Sequence, residues 1–233
     1  MKKLVLYWTL AYPNEEDFFK ILDCVEKAKT DILEIGIPVD NPFQDGRLIR
    51  ESHRRVLKTG MSYEKIVTIL QKIRQRYSFK IVLMTYKTAI QDFHLDKIPY
   101  DLYDGFLCPD EDINANLMKN PIKVYHEGLS IDEMKSRIKQ NKFFAYVMSG
   151  QGKTGSFTKL PDGYKNTMWM LNGNIQIPIY VGFGIKTWKD AKEICENGAD
   201  GVIIGSQLLN IYQQKGISGC TIYLDSLQRI HQI

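Results

Sequence analysis

"IPIYVGFGIKTWKDAKEICENGADGVIIGS", residues 177–206, reads as strand, helix, strand. Its two apolar runs, 177–185 and 201–206, are rich in Val and Ile and nearly continuous in hydrophobicity, as strands covered on both faces are. The stretch between them has helical spacing and is stopped by Gly198. Both strands end in glycine, at Gly182-Phe183-Gly184 and at Gly205-Ser206, and the second passes directly into another helix. Glycine lets backbone approach a ligand closely, and a helix N-terminus offers free N–H groups to an anion. A doubly wound open sheet carries such glycines after its first strand. Here they close the chain's last two strands, where a (β/α)8 barrel builds its phosphate site. Gly184, Gly205 and Ser206 are therefore candidate phosphate ligands, and a phosphorylated small molecule is the expected ligand class.

Working outward, six more strand-like runs precede these two: "KLVLYW", "DILEIGIP", "KIVLMTY", "YDGFLCP", "IKVYHE" and "FFAYVMS". Amphipathic stretches separate most of them. Phe18, Ile21, Leu22 and Val25 form one helical stripe, and Ile66, Ile69, Leu70 and Ile73 another. Asn14 and Ser62 are suitable helix starts, and "LSIDEMKSRIKQ" is a further clear helix. Eight strands alternating with helices, without a long linker, predict an α/β fold, a (β/α)8 TIM barrel, with residues 1–233 as a single domain. It is expected to be trimmed at the N-terminus, since the first strand begins at Lys3, and around the helices after strands three and four. "AIQDFHLDKIP" and "EDINANLMKNP" leave room for about two turns each.

Bulk composition narrows the function class. A formal charge of +4 is mild, and Lys and Arg are spread along helix-like segments rather than gathered in a stripe, so no nucleic-acid partner is expected. No apolar run approaches a membrane span, and a cytoplasmic location is expected. Cys24, Cys108, Cys195 and Cys220 are scattered, as free thiols are in a reducing compartment, and four scattered His residues show no metal-ligand spacing.

One residue breaks the apolar pattern. In "DILEIGIPVDNPFQDGR", residues 31–47, Leu33, Ile35 and Ile37 share a face suited to packing against helices. Ile32, Glu34, Gly36 and Pro38 share the other, which in a barrel points into the lumen. Glu34 is then a carboxyl in an apolar cylinder near the C-terminal mouth, where desolvation raises its pKa and keeps it able to give and take a proton near neutrality. Asp45 lies in the loop after the same strand, in more polar surroundings. Two carboxyls in unlike environments are a pattern for acid and base roles.

"LEIGIPVDNPFQDG", residues 33–46, resembles the signature of the tryptophan synthase alpha family, with Glu34, Gly36, Pro38, Pro42, Asp45 and Gly46 at matching places. The resemblance extends through "YWTLAYPN", "VLMTY", "YDGFLCPD", "YVMSGQGKTG", "GFGI" and "GADGVIIGS". It implies a lyase that splits indole-3-glycerol phosphate into indole and glyceraldehyde 3-phosphate in tryptophan biosynthesis. Glu34 and Asp45 would be catalytic, Tyr86, Asp110, Tyr146 and Thr154 would meet the substrate, and Gly155, Gly184, Gly205 and Ser206 would hold its phosphate. No metal and no cofactor would sit on this chain. The partner would be a tryptophan synthase beta subunit carrying pyridoxal phosphate, in an α2β2 assembly. The chain departs from the family pattern at Val39-Asp40-Asn41, Gln44, Thr88, Glu111-Asp112 and Gly150. The altered loop 39–44 and Gly150 motivate one alternative, a catalytically weak alpha-like subunit that mainly activates its beta partner. Another sugar-phosphate lyase or isomerase barrel is the second, with Lys123 as the lysine a Schiff-base aldolase would need.

Overall fold

The computed structural model describes residues 1–113 and 115–233. Eight parallel strands close in sequence order: β1 (Lys3–Thr9), β2 (Ile32–Gly36), β3 (Lys80–Met84), β4 (Gly105–Leu107), β5 (Pro121–Tyr125), β6 (Ala145–Met148), β7 (Ile179–Gly182) and β8 (Gly201–Ile204). The ring is sealed by β1 against β8, with Lys3 opposite Gly201 and Leu6 opposite Ile204. The expected (β/α)8 barrel is the observed one.

Side-chain alternation divides the core in two. Leu33, Ile35 and Ile37 join the large cluster between strands and helices. Val5, Ile32, Val82, Leu107, Ile122, Phe144, Tyr180 and Ile203 fill the lumen as a separate cluster. The lumen is thus filled by side chains, and chemistry in such a barrel belongs at its C-terminal mouth.

The outer ring holds α1 (Glu15–Lys27), α2 (Arg47–Leu57), α3 (Tyr63–Arg76), α4 (Lys87–Asp92), α5 (Ile131–Gln140), α6 (Gly163–Leu171), α7 (Trp188–Glu196) and α8 (Ser206–Leu227). Asn14 and Ser62 cap α1 and α3 by accepting from the backbone N–H of Asp17 and Lys65. Ser130 with Glu133, and Thr187 with Asp190, form reciprocal capping boxes on α5 and α7. Gly216, at φ 62°, breaks α8 into two segments.

The connections after β3 and β4 are short, as expected, but the second is not helical. After β3 come the six residues of α4 and two single 3-10 turns, Leu95–Lys97 and Tyr100–Leu102. After β4 the described residues up to Asn120 form turns. Side chains there bond where a helix would need its own ladder. Lys119 Nζ donates to the carbonyls of Tyr100 and Tyr103 at 2.8 and 2.9 Å, and Lys123 Nζ donates to the Ile113 carbonyl at 2.6 Å. Buried Ile113 and Met118 anchor the segment against the barrel wall.

Candidate active site

Glu34 leaves β2 into the lumen, two residues below the strand end, and is 2% exposed. Its Oε1 is buried with no hydrogen-bond partner. Burial pushes this carboxyl up to about 8, and the neighbouring Asp45 adds to the effect. Asp45 is equally buried, but its environment is built differently. Tyr86 donates to Asp45 Oδ2 at 2.7 Å and Thr154 donates to Oδ1 at 3.1 Å. Burial raises Asp45 to about 6, held from going further by those two hydroxyls and by Arg50. Near pH 7, Glu34 is therefore mostly protonated and Asp45 mostly ionised.

Both acids line one cavity at the barrel mouth, with an empty volume of about 730 Å³ including its opening. Its walls are apolar, from Met84, Leu107, Val124, Phe183 and Ile203. Met84, Leu107, Val124 and Ile203 follow from strand parity once the lumen face is fixed, although in the sequence alone only Glu34 stands out, and Phe183 lies past the end of β7. Tyr7, also in the wall, has the same parity as lumen-facing Val5 on β1. Tyr86 and Tyr146 also line the cavity, Tyr146 edge-on to Phe183 at 6.1 Å.

The glycine loops meet at one side of the mouth. Gly155, Gly184, Gly205 and Ser206 all line the cavity. Gly184 has φ 69° and a Cβ there would lie 2.9 Å from Pro161 Cδ, so only glycine fits. Phe183, a non-glycine residue, is held at φ 77°, and Ser149 Oγ donates to its carbonyl at 2.7 Å. Such strain persists where surrounding structure fixes it, and here it shapes the glycine loop after β7. Ser206 opens α8, whose first N–H groups have no partner within the helix. A backbone cradle at a helix start suits a phosphate.

The loop after β6 lies closed over the cavity. Thr154 Oγ1 accepts from the Gly46 N–H at 2.8 Å while donating to Asp45. A Cβ on Gly46 would lie 2.0 Å from the Thr154 carbonyl oxygen, so Gly46 makes this closure possible. Gly150 likewise packs where a Cβ would come within 2.6 Å of Pro161, which accounts for the missing side chain at that departure from the family pattern. Thr154→Val removes both hydroxyl bonds and leaves the Gly46 N–H unpaired. Loss of one bond to a charged group corresponds to a roughly tenfold fall in kcat/KM, carried mainly by KM, and steady-state kinetics on the variant check it.

Asp110 does not join the site. It is exposed, lines a neighbouring groove, and accepts from the Lys87 N–H at 2.9 Å and from Cys108 Sγ at 3.2 Å. The short turn after β4 turns this carboxylate onto the start of α4 instead of into the cavity. Lys123 also stays out of the cavity, buried in the neighbouring groove and ion-paired to Asp112. That placement gives a Schiff-base aldolase no lysine here. Among the described residues, no group of three or more His, Cys, Asp or Glu side chains is placed to hold a metal ion, and no helix is long and apolar enough to cross a membrane.

Comparison with known proteins agrees with this geometry. The family model described as tryptophan synthase alpha chain matches residues 1–227. The chain is 30% identical over 226 residues to the tryptophan synthase alpha chain of Petrotoga mobilis, covering 91% of this chain and 87% of that one. It is 32% identical over 232 residues to that of Aquifex aeolicus, covering 93% and 88%. A solved structure from Aquifex aeolicus superposes with a TM-score of 0.84 at 27% identity, covering 98% of this chain and 92% of that one. The Mycobacterium tuberculosis tryptophan synthase structure shares the fold, with a TM-score of 0.86 at 21% identity over 100% of this chain and 93% of that one. By family model, relatives and barrel together, this chain belongs to the tryptophan synthase alpha chain family.

Proposed function

We propose that residues 1–233 act as one domain that cleaves indole-3-glycerol phosphate to indole and glyceraldehyde 3-phosphate, with Glu34 as the proton-transferring group and Asp45 as the charge-stabilising one. The observation that carries this reading is the pair of buried carboxyls in one cavity, Glu34 with Oε1 unpartnered and Asp45 accepting two hydroxyl hydrogen bonds, facing a glycine cradle.

The reaction breaks a C–C bond between the indole ring and the glycerol side chain. Glu34, protonated at the start, gives its proton to the ring carbon. Positive charge then develops at the indole nitrogen, whose N–H donates to Asp45. The C–C bond breaks, its electron pair returns to the ring, and the side-chain hydroxyl becomes the aldehyde as its proton passes to Glu34. One proton leaves Glu34 and one comes back, so no oxidant, water or cofactor enters the balance. Tyr86 and Tyr146 flank the aromatic ring. Gly155, Gly184, Gly205 and Ser206 hold the phosphate, and the Thr154 loop keeps water out.

In this reading the indole passes to a tryptophan synthase beta subunit, where pyridoxal phosphate resides, in an α2β2 complex within the cytoplasm. Purified chain should release indole and glyceraldehyde 3-phosphate in equal amounts, with and without a beta subunit. No indole in either condition, with the beta reaction still accelerated, would show a subunit that only activates its partner.

The two carboxyls also set a pH range. Indole release needs Asp45 ionised and Glu34 protonated, so kcat/KM should rise through about pH 6 and fall above about pH 8. The pair titrates together, and the two limbs belong to it jointly. A flat profile between pH 5 and 9 would remove the acid–base assignment.

A further inference from the structure

A buried hydrogen-bond chain runs from α2 to the cavity wall through residues the reaction above does not use. Tyr7 Oη lies 3.0 Å from His53 Nε2 and 3.2 Å from Thr9 Oγ1, and Thr9 Oγ1 lies 2.6 Å from Ser52 Oγ. Ser52 Oγ donates to the Ile49 carbonyl at 2.7 Å, and the Val39 N–H donates to His53 Nδ1 at 3.2 Å. Tyr7 is 4% exposed and Thr9, Ser52 and His53 are fully buried.

The two ends of this chain fix every proton in it. A carbonyl only accepts, so the Ser52 hydroxyl proton is committed to Ile49 and Ser52 must accept from Thr9. The Thr9 proton is then spent, and Thr9 must accept from Tyr7. At the other end, Val39 fills His53 Nδ1, so a neutral imidazole carries its proton on Nε2 and donates it to Tyr7. Burial pushes His53 down to about 4, which keeps it neutral. Both ends give one answer: Tyr7 accepts from His53 and donates to Thr9.

Tyr7 sits opposite Glu34 in the β1–β2 register, and both line the cavity. A Cβ on Gly36 would lie 2.1 Å from Tyr7 Oη, so glycine leaves room for that hydroxyl just above the acid. We propose that Thr9, Ser52 and His53 are positioning residues that hold the Tyr7 hydroxyl proton away from Glu34, leaving the acid beside an oxygen that only accepts. Withholding that donor denies the Glu34 anion a hydrogen bond and keeps the carboxyl a proton donor at neutral pH. The remaining lone pair of Tyr7 is open to a substrate hydroxyl or to Glu34's own proton. The other ionisable groups acting on Glu34 and Tyr7 are Asp45 from the loop after β2, Tyr146 from β6 and Tyr86 from the start of α4, and Arg50 from α2 acts on Asp45.

This inference rests on the proposed role of Glu34, and its test reads Glu34 directly. The carboxyl resonance of Glu34 in 13C-glutamate-labelled protein, assigned by its loss in Glu34→Gln, is titrated together with the pH profile of indole release. Thr9→Val removes the acceptor for the Tyr7 proton. Ser52→Ala frees the Thr9 proton to turn toward Tyr7, with the same consequence, and serves if Thr9→Val does not fold. In either variant the released Tyr7 hydroxyl donates to the Glu34 anion, and the midpoint should fall by about one pH unit, with the alkaline limb of indole release moving alongside. Thr9→Ser keeps the chain and should keep the wild-type midpoint. Adding Tyr7→Phe to Thr9→Val should abolish the fall. An unmoved midpoint in both Thr9→Val and Ser52→Ala, or a fall that survives Tyr7→Phe, overturns the proposal. If wild type releases no indole, the lyase reading fails while the carboxyl titration still decides the chain's role.

Discussion

Glu34→Gln is expected to lower kcat for indole release by roughly 10²–10⁴-fold, the usual worth of a positioned general acid–base group. Glutamine fills the same volume on β2 and leaves the lumen packing of Ile32 and Val82 untouched. KM should change little, because the proposed phosphate and ring contacts lie on other residues. The same variant should be more stable than wild type at alkaline pH. In the unfolded chain Glu34 titrates near 4.5, and in the fold near 8. The fold therefore holds a proton that the unfolded chain has already released. Its contribution is complete below about pH 4.5 and is lost as pH rises through about 8. Glutamine never ionises, so the advantage of Glu34→Gln grows across that range, to on the order of 5 kcal/mol above pH 8. Denaturant melts of both proteins at pH 5 and pH 9 measure it. A stability difference that does not grow with pH would mean that Glu34 is not desolvated as the fold places it.

Asp45→Asn should cost roughly 10²–10³-fold in kcat, the scale for removing one preorganised stabiliser of a developing charge. Its second effect distinguishes it from Glu34→Gln. Asp45 accepts from both Tyr86 and Thr154, and Thr154 also holds the Gly46 N–H. An amide offers one acceptor where the carboxylate offers two, so one of these hydroxyls loses its partner. The loop over the mouth should loosen and KM should rise together with the fall in kcat, most clearly if Thr154 is the partner lost. Limited proteolysis within residues 150–156 should quicken in Asp45→Asn and stay unchanged in Glu34→Gln. Equal cleavage rates would show that the loop closes without Asp45.

Much of this was legible in the sequence because periodicity and chemistry agreed. The alternation of residues 32–38 puts Glu34 on the lumen face, and the late glycines mark both the barrel and the loops that line its cavity. Asp110 was misplaced for a physical reason. Its position after β4 suits a mouth residue, but its carboxylate accepts from the Lys87 N–H and from Cys108 Sγ outside the cavity, a pairing no local pattern reveals. The chain behind Tyr7 was hidden for a different reason. Ser52 and His53 sit in the very polar stretch "RESHRR", where a buried serine and histidine look like solvated helix surface. Only the packing of α2 against β1 turns them inward. Tyr7 itself reads as one more aromatic in a strand, and its hydroxyl gains meaning from partners 46 and 2 residues away.

A crystal structure with an analogue of indole-3-glycerol phosphate that lacks the side-chain hydroxyls, and so cannot be cleaved, tests the central claim most directly. The account predicts the indole ring between Tyr86 and Tyr146, its nitrogen within hydrogen-bond distance of an Asp45 carboxylate oxygen, the ring carbon that bears the side chain facing Glu34, and the phosphate on the N–H groups around Gly184, Gly205 and Ser206. An indole nitrogen turned away from Asp45, or a ring carbon out of reach of Glu34, would contradict it.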